Sequence, residues 1–121
     1  MQWLLHGSLA PAVGEALARH EHKSHGLEEV GLTADAPAAD VLKAAREKQY
    51  DLITNDAVLA IAPFELDFWV QRSIVYLQLE GGEVEQDDAV ERLFARYRRL
   101  TPGRLYTVTG SRVKVRQLPG K

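Results

Sequence analysis

Three polar residues have types and positions that could hold a divalent cation. His6 follows the apolar stretch WLL, Asp56 closes the run DLITND, and Asp40 lies near the start of a helical pattern. The carboxyl ends of strands in an open parallel sheet present ligand-binding and catalytic side chains. Carboxylates suit Mg²⁺, whereas an imidazole favours Mn²⁺ or Zn²⁺. The set therefore predicts a site for one divalent ion.

The same residues also have an interpretation without a ligand. Asp56 would cap the turn that follows it, Asp40 would complement the dipole of its helix, and His6 would form an ordinary hydrogen bond. Thr54 and Asn55 stand beside Asp56 at the end of the same predicted strand. Both interpretations place these side chains in one crevice, because the carboxyl ends of adjacent parallel strands meet at one edge of the sheet.

The basic residues are concentrated at the end of the chain. All seventeen acidic residues occur at or before Glu91, whereas nine of the fifteen Lys and Arg residues follow it. Arg92, Arg96 and Arg99 share one face of the predicted last helix and are predicted to line a phosphate-binding surface. The asymmetry favours a polyanionic partner or an acidic surface on another protein. Alternatively, folding brings the two halves together and their fields largely cancel.

The last predicted strand carries three of these cations. Arg112, Lys114 and Arg116 alternate with valines, so one face of the strand is predicted to be basic and the other packed. Such a basic face is also typical of an edge strand, since charge deters pairing with another sheet.

The segment HEHKSH, residues 20–25, contains three of the four histidines. Their spacing fits no defined zinc motif. The position of His20 near a predicted helix end is explained by the helix dipole. The segment therefore does not favour a metal site.

Strands alternate with helices along the chain, which predicts an α/β fold. Strands are predicted at 2–5, 22–26, 51–56, 73–79, 105–109 and 112–118, and helices at about 8–20, from 35 or 36, and at 86–100. Ser8 is predicted to cap the first helix, and Pro63 to break a short helix or turn after DLITND. The order predicts a three-layer α/β/α sandwich with a central mainly parallel sheet and a C-terminal β-hairpin.

Composition limits the classes of chemistry. Without cysteine, the chain has no disulfide, thiolate metal site or cysteine nucleophile, which suits a reducing compartment. No glycine-rich phosphate loop or GxSxG motif occurs, which disfavours nucleotide hydrolysis and serine esterase chemistry. The length of 121 residues predicts a single domain over residues 1–121. Without an apolar stretch of about 20 residues or a leader, we expect a cytoplasmic protein with no membrane partner.

Six segments, in order, resemble a PIN-like domain of the small DUF5615 type. They are WLLHGSLAPAVGEAL, GL at residues 31–32, VLKAARE, DLITND, SIVYLQL and GRLYTVTGSRVKVRQLP, and they cover nearly the whole chain. The most specific are LITND and the closing RVKVRQLP. The resemblance implies an α/β/α sandwich with a parallel central sheet. Active PIN domains are Mg²⁺- or Mn²⁺-dependent nucleases, many of them ribonuclease toxins controlled by an antitoxin.

The resemblance also implies a metal site of three or four acidic residues, which this sequence matches in part. Asp56 matches the acid after the Thr-Asn pair of the third strand. His6 stands where the first family Asp is expected. The acid at the start of the second helix falls near Ala38, which leaves Asp40 as a substitute, and a further Asp is replaced by Val58.

Two hypotheses follow from these departures. In the first, a ribonuclease uses Asp56 and Asp40 as catalytic acids, and the same two residues bind one Mg²⁺ or Mn²⁺ ion together with His6. RNA contacts the basic helix face and three residues near the metal: Thr54, Asn55 and Ser8. Ser8 replaces the usual family Asn. In the second, a non-catalytic PIN-like module without a cofactor acts through RNA or protein binding. Glu65 or Asp67 could supply a missing carboxylate. The implied protein partners are an antitoxin or a second copy of the chain.

Overall fold

Neighbouring apolar residues of the central strands point to opposite faces of the sheet, and both faces are buried. In the computed structural model, which describes residues 1–120, Trp3 and Ile53 pack in one hydrophobic core. Leu4 and Leu52 pack in a second core on the other face. Burial on both faces is expected of a parallel sheet between layers of helices. The fold is therefore the three-layer α/β/α sandwich that the sequence predicted.

The elements alternate as the sequence predicted. The strands are β1 (Gln2–His6), β2 (Lys23–His25), β3 (Asp51–Thr54), β4 (Ile74–Leu77), β5 (Arg104–Val108) and β6 (Val113–Gln117). The helices are α1 (Pro11–Arg19), α2 (Ala38–Lys48), α3 (Ala57–Leu66) and α4 (Glu83–Arg96), with a 3₁₀ helix at Leu27–Val30. The sheet order is β2-β1-β3-β4-β5-β6. The first five strands are parallel and β6 is antiparallel to β5, which confirms the C-terminal hairpin.

The two helical layers cover opposite faces of the sheet. Buried residues of α1 and α4 contribute to the core that contains Trp3. Buried residues of α2 and α3 contribute to the core that contains Leu4. Within residues 1–120, no helix is long and apolar enough to cross a membrane.

Three element boundaries differ from the sequence prediction. Ser8 does not cap α1, whose N-cap residue is Ala10 and has no side-chain cap bond. Pro63 lies inside α3 without ending it. A proline removes one helical hydrogen bond, yet α3 continues to Leu66, and the face of α3 that contains Leu59, Ala62 and Pro63 is buried. The last helix ends at Arg96, not near Leu100, since the extended backbone at Tyr97 carries Leu100 into the core.

Candidate functional site

The carboxyl ends of β1 and β3 bring His6 opposite Thr54. The two strands are parallel neighbours, and His6 Nδ1 lies 2.8 Å from Thr54 Oγ1. The same hydroxyl accepts a hydrogen bond of 3.0 Å from the backbone N–H of Asp56. His6 is only 8% exposed and Thr54 is fully buried. One hydroxyl thus joins the ends of both strands, and His6 and Asp56 share one crevice as the sequence predicted.

Asp56 also begins α3. One carboxylate oxygen, Oδ1, accepts a hydrogen bond of 2.8 Å from the backbone N–H of Val58, so Asp56 is the N-cap residue of this helix. The capping role that the sequence suggested is confirmed. The cap leaves the second carboxylate oxygen without a hydrogen bond within residues 1–120.

Asn55 ties the segment after β1 to the end of β3. Its side-chain oxygen accepts from the backbone N–H of Ser8 at 2.9 Å, and its amide nitrogen donates to the Ser8 carbonyl at 3.0 Å. Gly7 lies beside this amide with φ +93°, and a Cβ at that position would collide with Asn55 Oδ1. Both polar ends of the Asn55 side chain are therefore engaged in holding the crevice together, and Ser8 takes part through its backbone.

A cavity of about 630 Å³ opens at this edge of the sheet. Its walls come from the end of β1, the segment from Gly26 to Glu28, the loop around Thr33, and Asp56. The volume lies within the range of about 300–1,000 Å³ that is usual for ligand pockets. Sequence reasoning missed Glu28, although its place just after the predicted second strand was a signal that it would reach the same edge.

The cavity does not assemble the metal-binding set that the sequence predicted. Asp40 is exposed in the first turn of α2 and does not line the cavity. Glu65 and Asp67 lie at the far end of α3 from Asp56, about 14 Å along the helix axis. Within residues 1–120, no group of three His, Asp or Glu side chains could hold a metal ion. Asp40 is separated from the site because α2 begins beyond the loop that forms the cavity wall.

The residues present therefore do not fit a two-metal centre. Such centres need several carboxylates, because hard cations prefer oxygen ligands. The cavity offers two carboxylates, Asp56 and Glu28, and Asp56 uses one oxygen for its cap. His6 Nδ1 is engaged by Thr54, which leaves Nε2 as the nitrogen that can meet a ligand.

Burial disfavours the protonated form of the His6 imidazole. Desolvation lowers its pKa below the ordinary value of 6.5, and the nearby negative charge of Asp56 opposes this shift in part. Because a hydroxyl both donates and accepts, the contact with Thr54 is compatible with either tautomer of the ring. A neutral imidazole in this cavity can donate or accept one hydrogen bond through Nε2.

The three histidines of HEHKSH have separate partners. His20 Nε2 lies 2.9 Å from a carboxylate oxygen of Glu91, and His22 Nδ1 accepts from Trp3 Nε1 at 2.9 Å. His25 stacks on Tyr50 at the other side of β2. Each of the three imidazoles therefore has a partner within the protein.

The predicted basic helix face is only partly formed. Arg92 and Arg96 line a cavity of about 380 Å³ between α4 and the β5–β6 hairpin, together with Arg112. Arg92 also donates to the carbonyl of Thr109 at 2.8 Å. Arg99 does not share this face, because α4 ends at Arg96, and it lies in a different cavity near His22. The prediction that Arg99 joins Arg92 and Arg96 was wrong for this reason.

The basic tail, residues 92–120, is not neutralised by ion pairs with the acidic residues that precede it. The ion pairs of Arg19, Arg72 and Lys43 all involve cations that precede Glu91. In the part of the chain described, 1–120, no Lys or Arg after Glu91 lies within ion-pair distance of a carboxylate. Arg116 instead lies 3.8 Å from the centre of the Phe64 ring. The tail thus presents positive charge, and its last strand, β6, is the edge strand that the sequence suggested.

Because comparisons with known proteins found no match, the functional proposal depends on the structure. A scan against protein-family models matched no family, and searches of curated proteins and of solved structures returned no match.

Proposed function

We propose that this chain is a PIN-like domain, similar to the divalent-metal-dependent endoribonucleases of toxin–antitoxin type, in which cleavage is impaired and RNA binding is retained. The observation that carries the proposal is the pairing of His6 and Asp56 in one cavity at the carboxyl edge of β1 and β3. This is the edge where the family resemblance requires the metal-binding acids. An imidazole in place of the first acid removes one of the negative charges that attract a divalent ion.

Cations that form no ion pair within residues 1–120 support the RNA-binding part of the proposal. Arg92, Arg96 and Arg112 surround one cavity, and Arg96 and Arg112 are exposed. Guanidinium groups bind phosphate oxygens through charge-assisted hydrogen bonds, which are stronger than neutral ones. A groove of this kind binds the RNA backbone with strong salt dependence and little preference for sequence.

Restoring the missing acids tests the proposal directly. The double variant His6→Asp with Val58→Asp returns carboxylates to both positions where the resemblance expects them. Val58 is 65% exposed in the first turn of α3, where an acid is favoured by the helix dipole. We expect this variant to bind Mn²⁺ more tightly than the natural sequence in calorimetric titration, and to cleave single-stranded RNA faster.

The matched control is His6→Asn with Val58→Asn, which has similar shape without the charges. We expect no gain in Mn²⁺ affinity or cleavage from it. Adding Asp56→Asn to the restored variant should abolish the gain, and the helix cap should survive because Asn is also a good N-cap residue. Equal behaviour of the acidic and the amide variants would contradict the proposal.

A second candidate function, protein binding without catalysis, is favoured by the surface of α3. Val58, Ile61 and Leu66 are 65%, 46% and 52% exposed, and Trp69, just beyond the helix, is 40% exposed. Several exposed apolar side chains on and just after one short helix favour a surface that binds another protein. A second copy of the chain or an antitoxin are the partners that the resemblance implies.

Sedimentation analysis separates this second candidate from the first. If α3 mediates a homodimer, Ile61→Lys should shift the protein to the monomer without lowering its thermal midpoint, since the side chain is half exposed. Lys43→Ala, on an exposed position of α2, is the control that should leave the assembly unchanged. A natural protein that is monomeric at all concentrations would exclude the homodimer.

A further inference from the structure

A second cavity lies at the opposite, amino edge of the sheet. It has a volume of about 340 Å³ and is lined by Met1, His22, Arg98, Arg99 and Leu100. Met1 and His22 directly precede β1 and β2, and Leu100 lies in the segment between α4 and β5. The sequence separates His22 from the two arginines by more than seventy residues, and the fold brings them to one place.

The tertiary structure fixes which nitrogen of His22 can meet a ligand. The indole N–H of Trp3 donates to His22 Nδ1 at 2.9 Å. An indole nitrogen can only donate, so Nδ1 must be the accepting, unprotonated nitrogen of this ring. The proton of the neutral imidazole is therefore on Nε2, which forms no hydrogen bond with residues 1–120. Trp3 is fully buried, and the two rings lie edge to edge in nearly parallel planes, 21° apart, with their centroids 6.1 Å apart.

Arg98 and Arg99 add positive charge that nothing in the described chain neutralises. Both side chains are exposed, and neither forms a hydrogen bond, an ion pair or a ring contact within residues 1–120. No acidic residue lines the cavity. Asp51, whose charge acts on His22, is already paired with Arg72 and the backbone of Ser73, and Glu91 is paired with His20 and Arg19. The cavity therefore combines two guanidinium groups with one fixed N–H donor and no competing anion.

We propose that the cavity formed by His22, Arg98 and Arg99 binds a phosphate group, either as the free anion or as the phosphomonoester of a nucleotide. Two arginines supply the forked donors that suit phosphate oxygens, and His22 Nε2–H supplies a third donor. The site is independent of the cavity at His6, which lies at the other end of the same strands.

Trp3 provides a direct spectroscopic reporter of binding. Inorganic phosphate is titrated into a nitrogen-15 labelled sample at about pH 7.5. At this pH a phosphomonoester, the other ligand to be tested, is mostly dianionic. Chloride keeps the ionic strength constant throughout the titration. We expect saturable shifts of the Trp3 indole N–H and of the His22 ring nitrogens. The indole N–H of Trp69, which lines another cavity, is the internal reference and should not shift in a saturable way.

A charge-matched pair of variants tests the residues. Arg98→Gln with Arg99→Gln should weaken phosphate binding by more than about tenfold, because losing even one of the two charge-assisted contacts costs about tenfold. Lys43→Gln with Lys48→Gln removes the same charge from exposed positions of α2 and should leave the affinity within about twofold. The single variants Arg98→Gln and Arg99→Gln should each give part of the loss. Unchanged binding in the Arg98 and Arg99 double variant would overturn the proposal.

A nucleoside 5′-monophosphate distinguishes the two sources of the phosphate group. Tighter binding of the nucleotide than of inorganic phosphate, with the same dependence on Arg98 and Arg99, identifies a nucleotide as the ligand class. Equal affinities identify the free anion. Absence of saturable shifts with both compounds, or shifts with the nucleotide alone, would overturn the assignment of a phosphate site.

Discussion

Two histidines lie at opposite ends of the central strands, and their ring partners differ in a way that decides their chemistry. His6, at the carboxyl edge, contacts a threonine hydroxyl through Nδ1, whereas His22, at the amino edge, contacts an indole N–H through the same atom. A hydroxyl can donate or accept, so His6 can adopt either tautomer. An indole N–H can only donate, so the neutral His22 ring has a single tautomer. The comparison shows that the hydrogen-bond partner of one ring nitrogen, more than burial, determines whether the other nitrogen donates or accepts a hydrogen bond.

The two cavities also differ in charge. Asp56 and Glu28 line the cavity at His6, whereas Arg98 and Arg99 line the cavity at His22. A cation is the ligand that suits the first, although its carboxylates are too few for a two-metal centre. An anion is the ligand that suits the second. One small sheet thus has cavities lined by residues of opposite charge at its two ends.

Removing the indole would disrupt the amino edge most strongly. Trp3→Ala should lower the free energy of unfolding by about 3–5 kcal/mol, because it empties a fully buried volume in the core. Trp3→Phe should cost less and free His22 Nδ1, and nitrogen-15 spectra of the ring should then show a mixture of tautomers. Retention of a single tautomer in Trp3→Phe would contradict the role given to the indole. Denaturant unfolding supplies the free energies.

Removing the hydroxyl disrupts the carboxyl edge to a smaller extent. Thr54→Val should lower the free energy of unfolding by about 1–3 kcal/mol, since it leaves the buried Nδ1 of His6 and the Asp56 N–H without their common partner. Thr107→Val, on β5, is the matched control, because the Thr107 hydroxyl forms no hydrogen bond within residues 1–120. Equal losses for the two valine variants would show that the hydroxyl of Thr54 is not what joins β1 to β3.

Replacing Asp56 separates its structural role from its charge. Asp56→Ala should cost about 1 kcal/mol through the lost cap of α3, whereas Asp56→Asn should cost only a fraction of this. Asp40→Asn, at an exposed position outside the cavity, should change the free energy by less than about 0.5 kcal/mol. Chemical denaturation of the three variants checks this order, and a loss in Asp40→Asn as large as in Asp56→Ala would be inconsistent with the observed cap.

The smallest effect expected is the dependence of stability on pH. Burial lowers the pKa of both His6 and His22 below 6.5. At His22, the positive charges of the Met1 amino group and of His20 lower the pKa further. A nearby carboxylate opposes the shift at each ring, Asp56 at His6 and Asp51 at His22. The unfolded chain therefore binds more protons below pH 6.5, so stability is fully present above that value and is lost as the pH falls through the folded-state pKa values. Thermal midpoints measured against pH should fall below pH 6.5.

Variants of each histidine divide this pH dependence between the two edges. His6→Gln and His22→Gln should each flatten part of the decline below pH 6.5. Because the indole contact of His22 requires an unprotonated Nδ1, we expect the larger share from His22. A pH profile that neither variant changes would contradict the assignment of the decline to these rings.

Much of the fold was predictable because it depends on local patterns. The buried runs LITN and SIVYL led to the central strands, and the alternation of strands with helices led to a parallel sheet. The weakly patterned strand at residues 23–25 was predicted from the architecture alone and is present. The helix ends were predicted less well. The end of α4 depends on how Tyr97 and Leu100 reach the core, which is a contact across the molecule and not a local preference.

The sequence by itself determined the layered α/β architecture, the crevice that His6 shares with Asp56, and the cap that Asp56 forms, because strand order and adjacent residues fix these features. Only the tertiary structure decided that Asp40 lies outside that crevice, that Glu28 lines it, and that Arg99 joins His22. The physical reason is distance along the chain. Loops and helix ends set these positions, and their geometry depends on packing between segments that are many residues apart.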